Sequence, residues 1–321
     1  MASDPLIAAA CLFALITGAN DGASLVATNL ASKALRPLVA LLLLAVAVVV
    51  GPYLLGTAVA STLTSGLVGF DRAGGRDALL VAVLVAVGLV GLLARLGLPT
   101  SVMQALTGAI LGAGIGRGLP VDLSLAARVL VVLFVAPLLA GGLGRLVVAA
   151  LGRIRPRHGV RRHVRILQAG SWLGQCVAYA ANDAQKMVAV FAVALGVAAS
   201  GPGGGAGLVP AAQVAIGVCF TIGALAGASR LGGRVGRLLQ VTPMTAVGAG
   251  YGSATAVLAS AALGAPVSMA QANASALIGA QSLVRGSRRI RWEQAVRILS
   301  TWVTTMPSAF GCAAVVGWAT R

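Results

Sequence analysis

Charge is scarce in this chain of 321 residues: 10% of them are Asp, Glu, Lys or Arg, and only 7 are acidic. With 58% hydrophobic residues and a mean hydropathy of +0.95, that scarcity excludes a soluble globular domain. Cysteine is nearly absent. Cys11, Cys176, Cys219 and Cys312 lie singly inside apolar runs with no CxxC spacing, so neither a disulfide framework nor a cysteine metal site is indicated, and they read as small buried hydrophobes. No GxxxxGK[ST] occurs, which argues against an ATP-driven pump. The opening MASDPLIAAACLF has no basic segment, so no cleaved signal peptide is expected. The apolar runs do not alternate with polar residues in blocks of about ten, which favours helices over a transmembrane barrel.

What the chain does have is a series of long apolar runs. Ten of them, near 5–31, 37–57, 77–97, 99–117, 123–150, 166–195, 209–228, 239–263, 266–284 and 298–319, are about the length a bilayer requires of a helix. The expected fold is an all-α integral membrane protein of ten to twelve membrane segments. The net charge of +17 would suggest nucleic acid in a soluble protein. Here the arginines fall between the apolar runs, where basic loops orient a membrane protein, so the expected surroundings are a lipid bilayer and not nucleic acid.

The chain repeats itself. GANDGASL at 18–25 is matched by AANDAQKM at 180–187, and PTSVMQALTGAILGAGIGRG at 99–118 by PVSMAQANASALIGAQSLVRG at 266–286. Asn20 precedes Pro99 by 79 residues and Asn182 precedes Pro266 by 84. Two motifs in one order at nearly one spacing divide the chain into a first membrane repeat (1–151), a basic linker (152–165) and a second repeat (166–321), five runs in each. An odd number of spans per repeat makes the second copy enter the membrane from the opposite side.

Loop charge agrees with that inversion. Lys33 and Arg36 follow the first ND run, whereas 196–210 has no charge. Asp71, Arg72, Arg76 and Asp77 cancel, whereas their counterparts are Arg230, Arg234 and Arg237. Arg117 is balanced by Asp122, whereas Arg285, Arg288, Arg289, Arg291 and Arg297 face only Glu293. With the linker RIRPRHGVRRHVR in the cytoplasm, every positive loop is cytoplasmic and both termini are outside. His158 and His163 in that linker read as solvated.

Of the acidic residues only Asp21 and Asp183 fall in mid-run, at equivalent places of the two copies. An ionised carboxylate in hydrocarbon costs several kcal/mol, on the order of 3 at least, so it faces a cavity, a partner or an ion. The neighbouring glycines and asparagines suggest that each ND breaks its helix around a pocket, where carboxylates and freed carbonyls suit a cation and half-helix N-termini suit an anion. The site residues are therefore Asn20, Asp21, Asn182 and Asp183 for the coupling ion, and Ser101, Gln104, Ser268 and Gln271, with Asn20 and Asn182, for substrate. Gln185, Lys186 and Thr28 are further candidates. Each has a structural alternative: Lys186 neutralising Asp183 at i+3, Asp21 as a helix cap, the two serines bonding back to the preceding turn, and the two glutamines as interhelical glue. The glycines of GAILGAGIG at 108–116 read as close helix packing.

GAND at 18–21, TNLASKAL at 28–35, ANDAQK at 181–186, VTP at 241–243 and the two Pro-x-Ser elements resemble the inorganic phosphate transporter (PiT) family of secondary carriers, over the whole chain. The resemblance implies an inverted-repeat carrier of inorganic phosphate in a bacterial cytoplasmic membrane, coupled to H⁺ or Na⁺. It implies no bound cofactor, and a divalent metal travelling with phosphate and a homodimer are further candidates. The chain departs from the family where two threonines and a histidine follow the Pro-x-Ser start: it has Val102-Met103-Gln104 and Met269-Ala270-Gln271. Gly250 stands for a family glutamate and Ser24 for an asparagine. Sulfate or another oxyanion is the alternative cargo. Other classes are a channel or sensor, and an intramembrane aspartyl protease, which the absence of GxGD and Pro-Ala-Leu elements opposes.

Overall fold

The computed structural model describes residues 4–32, 35–96, 98, 100–153, 160–201, 206–239, 241–286 and 292–321. Lys33, Pro99, Arg155, Arg157, His158, Arg288, Arg289 and Arg291 lie outside them, and His163 is exposed. The described chain is helical. Six helices are long and apolar enough to cross a membrane: Pro5–Asn29, Pro37–Leu55, Gly75–Arg95, Leu123–Gly152, Pro210–Ala228 and Ala295–Ala319. The protein is thus an all-α, multi-pass membrane protein.

The first run is α1 (Pro5–Thr17), a π-helical turn (Gly18–Gly22) and α2 (Ala23–Ser32). Then come α3 (Pro37–Leu55), a short α4 (Ala58–Ser61) with a second π turn (Thr62–Gly66), α5 (Gly75–Arg95), α6 (Val102–Gly116) and α7 (Leu123–Gly152). The second part holds α8 (Val160–Ala181), α9 (Asp183–Leu195), α10 (Pro210–Leu239), α11 (Pro243–Ala262), α12 (Met269–Arg285) and α13 (Trp292–Ala319). The four expected passes outside the six apolar spans are α6, α8 with α9, α11 and α12. They differ for a physical reason: α6 has 15 residues and is too short to cross alone, and the others carry the Gln, Asn, Ser and Thr of the interior.

These helices form the middle of the molecule. Every residue from Val102 to Gly114 and from Asp183 to Ala192 is buried. The outer helices reverse the pattern of a soluble protein, with Leu138 72% and Leu54 76% exposed toward the lipid. Acyl chains are as apolar as leucine, so cohesion depends on close packing. Gly108, Gly112 and Gly116 show how it is achieved. They form one stripe on α6, and a methyl group on any of them would collide with the backbone oxygen of Met306, Phe310 or Ala314 on α13. The glycine run thus serves helix packing. Gly112→Val is expected to cost about 3 kcal/mol, near the top of the usual range for overpacking. A fall of about 5–10 °C in the thermal midpoint of purified protein would register it.

Polar contacts gather one end of the molecule. Arg76 pairs with Asp4, ahead of α1, and donates to the Val193 carbonyl near the end of α9 at 3.1 Å. Arg117 lies 3.5 Å from Asp77 and donates to the Thr320 carbonyl at 3.0 Å. Asp122 caps α7, and the Leu125 N–H, with help from the Ser124 hydroxyl, holds its carboxyl below the usual carboxylate range. The segments whose loop charge assigned them to one side therefore meet.

Candidate functional site

The two ND elements meet at the centre of the fold. Lys186 Nζ lies 2.5 Å from Asp21 Oδ2 and 2.8 Å from Asp183 Oδ1, and the three side chains are 0%, 1% and 0% exposed. Its pairing with Asp183 follows from i, i+3 spacing on α9. Its pairing with Asp21 crosses 165 residues of sequence and joins the two copies. Asp21 is accordingly an ion-pair partner and not a helix cap. The ammonium also lies 5.9 Å from the centre of the Tyr179 ring, within cation–π range. Tyr179 in turn packs on Phe220 of α10, and its buried hydroxyl has no partner among the described residues.

The backbone at the two motifs differs, which corrects the expectation of two matching breaks. At Asn182 the helix does break, with φ −128° and ψ −74° between α8 and α9. At Asn20 it continues through a π turn in which the Ala23 N–H reaches the Gly18 carbonyl. One extra residue is absorbed by widening the helix, as π turns often do at functional positions. Gly18 makes room for this, because a side chain there would strike the Phe220 carbonyl.

The asparagines hold these motifs to the Pro-x-Ser elements. Asn20 Nδ2 donates to Asp21 Oδ1 at 2.8 Å and to the Thr100 carbonyl at 3.1 Å. Asn182 donates to the Ala265 carbonyl at 3.0 Å and accepts from the Val267 N–H at 3.0 Å. The Met269 N–H donates to Asp183 Oδ2 at 2.8 Å, so an aspartate sits at the start of α12. Asn182 therefore has both ends of its amide engaged with backbone.

Ser101 and Ser268 do not bond back to a preceding turn. They are the N-caps of α6 and α12, each accepting a backbone N–H from the glutamine three residues on, Gln104 at 3.2 Å and Gln271 at 3.4 Å. Their backbone angles are nearly the same, φ −105° and ψ 116° against φ −102° and ψ 116°. The two copies thus build one local device, a serine-capped helix N-terminus with glutamine in its first turn. The glutamine side chains are not interhelical glue. Gln104 Oε1 and both amide atoms of Gln271 are buried without a partner among the described residues, which costs about 1–3 kcal/mol per group unless something else satisfies them.

Gln185 has a different place. Its amide donates to the carbonyls of Gly56 at 2.9 Å and Ala181 at 2.5 Å and accepts from the Ala60 N–H at 3.0 Å, tying α9 to the joint between α3 and α4. That joint needs support because Gly56, at φ 83°, ends α3. Gln185→Leu is expected to destabilise the protein by about 1–3 kcal/mol through the orphaned backbone groups, measurable as a lower thermal midpoint.

Thr28 belongs to a polar chain that went unread in the sequence. Gln175 on α8 donates to Ser253 on α11 at 3.1 Å and to Asn273 on α12 at 2.8 Å. Asn273 donates to Thr28 at 3.1 Å, and Thr28 to the Ser24 carbonyl at 3.2 Å, one turn beyond Asp21. Beside it opens a small cleft lined by Thr28, Asn29, Gln168, Ser171, Trp172, Gln175 and Ala246. The available signal was helical spacing: Gln168, Ser171 and Gln175 stand at i, i+3 and i+7, a polar stripe in an apolar run.

Among the described residues no group of three or more His, Cys, Asp or Glu could hold a metal ion.

The family model described as "Phosphate transporter family" matches residues 17–163 and 153–313. A "probable low-affinity inorganic phosphate transporter" of Mycobacterium leprae (strain TN) is 31% identical over 98% of this chain and 77% of its own length. The Bacillus subtilis (strain 168) protein of the same description is 27% identical over 94% of this chain and 92% of its own. A solved structure described as "The sodium-dependent phosphate transporter" shares the fold with a TM-score of 0.79 at 17% identity, over 98% of both chains. The match runs through both ND motifs and both capped helices, and this chain belongs to the phosphate transporter family.

Proposed function

We propose that the protein is a secondary carrier of inorganic phosphate across a bacterial cytoplasmic membrane, coupled to H⁺ or Na⁺. The observation that carries the reading is the buried Gln271 amide in the first turn of α12, with no partner at either atom. Together with its counterpart Gln104, it leaves donors and acceptors in the first turns of two helices, where N–H groups and the helix dipole favour an anion. A tetrahedral oxyanion bearing a proton suits such amides, because it both accepts and donates. Sulfate at neutral pH only accepts, and the relatives described above are named for phosphate.

The two copies run in opposite senses across the bilayer. Support comes from Arg76, which touches both Asp4, before the first ND helix, and Val193, near the end of the second. With the basic loops inside, both termini are outside, and the cleft at Thr28 and Gln175 lies toward the cytoplasm. Alternating access then consists of rocking one repeat against the other around the Asp21–Lys186–Asp183 cluster. In this reading Ser101, Gln104, Ser268, Gln271 and Asn20 receive the anion. Divalent metal accompanying phosphate belongs to the cargo.

Radiolabelled phosphate uptake into proteoliposomes under imposed H⁺ or Na⁺ gradients tests this. Saturable phosphate accumulation, competed by arsenate and not by sulfate, is expected. Accumulation of sulfate alone would replace the reading with a sulfate permease.

A further inference from the structure

Carriers that bring an anion to a pair of carboxylates must offset the carboxylate charge, and a mobile cation is the usual means. Here the offset is covalently attached. Lys186 Nζ stands between Asp21 Oδ2 and Asp183 Oδ1, at 2.5 Å and 2.8 Å, one carboxylate from each copy. It reaches them from the first turn of α9, directly behind the break at Asn182. None of the three side chains is more than 1% exposed. The face of the Tyr179 ring, 5.9 Å away, replaces water on a further side of the ammonium. The other carboxylate oxygens are engaged as well: Asp21 Oδ1 by Asn20 and Asp183 Oδ2 by the Met269 N–H. Each of the four carboxylate oxygens thus has a protein donor.

We infer that the Lys186 ammonium is a tethered counter-cation, filling the place between Asp21 and Asp183 that a mobile monovalent cation would otherwise take. Bringing an ion into this pocket requires replacing its hydration, and two carboxylates do this for an ammonium as they would for sodium. Two carboxylates and one ammonium leave one net negative charge. The cluster therefore needs one fewer mobile cation per anion than the same pair of aspartates without the lysine. The inference deepens the carrier reading and rests on it only where uptake is the readout.

The test compares thermal unfolding of the purified full-length chain in Na⁺ and in N-methylglucamine at equal ionic strength. The wild-type midpoint is expected to differ between the two by less than that of either variant. Lys186→Ala and Lys186→Gln are expected to melt lower in N-methylglucamine and to recover with Na⁺ in a saturable way, by about 5 °C at a hundredfold excess over the dissociation constant. Variants that elute as monodisperse protein yet gain nothing from Na⁺ would overturn the inference. So would a wild-type protein with a Na⁺-dependent rise as large as that of the variants. If neither variant can be recovered folded, wild-type crystals soaked in Tl⁺, a monovalent cation located by anomalous scattering, decide: no peak between Asp21 and Asp183 supports the inference, and a peak there overturns it. Absence of phosphate uptake under every gradient would remove the carrier reading and leave the melting comparison standing.

Discussion

Asp183→Ala is expected to abolish phosphate uptake and to lower the thermal midpoint by on the order of 10 °C. Asp183 has two duties: one oxygen holds the Lys186 ammonium and the other accepts the Met269 N–H at the start of α12. Removing one partner of a fully buried ion pair costs about 3–5 kcal/mol, since the remaining charge is left in a medium that cannot solvate it. Asp21 still pairs with the ammonium, which keeps the loss toward the lower end of that range. Uptake fails for a separate reason: the start of α12 loses the Met269 bond to Asp183, and its first turn carries Gln271. Uptake assays and unfolding of the same preparation check both halves. A variant that melts like the wild type would show that the cluster does not join the repeats.

Gln271→Leu is expected to separate function from stability. Gln271 is 1% exposed and its side-chain amide has no partner among the described residues. Leucine removes two unsatisfied polar atoms and nearly preserves volume, so the midpoint should hold or rise. Phosphate affinity should fall about 10–100-fold, the value of one hydrogen bond to a charged ligand. Uptake at a series of phosphate concentrations, beside unfolding, measures both. Unchanged affinity would remove Gln271 from the site. The analogous change on α6, Gln104→Leu, is a useful companion, because only its carbonyl oxygen is orphaned.

The sequence shows most of this arrangement because the chain contains it twice. The mid-run Asp21 and Asp183 stand out in a chain with seven acidic residues, and the matched Pro-x-Ser elements place Ser101 and Ser268 at two helix starts. Loop charge groups Asp4, Arg76 and Arg117 at one end, where their contacts do meet. Contacts across the two copies have no such signal. Spacing pairs Lys186 with Asp183 and says nothing of Asp21, which is distant in sequence and local only in the fold. Gln185, in the same motif, reads as a ligand candidate, yet its amide is used in supporting Gly56 and Ala60. The segment 58–66 falls between the apolar runs 37–57 and 77–97. It nevertheless coils into α4 and a π turn, with Thr57 and Ser61 held by Ser200, each at 2.7 Å. The polar stripe on α8 was legible in principle but hidden within an apolar run.

The most direct test of the central claim is an experimental structure of the protein loaded with arsenate, a tetrahedral mimic of phosphate whose arsenic can be located by anomalous scattering. The account predicts one arsenic peak between the serine-capped starts of α6 and α12, within hydrogen-bond reach of Gln271. A peak away from both helix starts, with the Gln271 amide still without a partner, would contradict it.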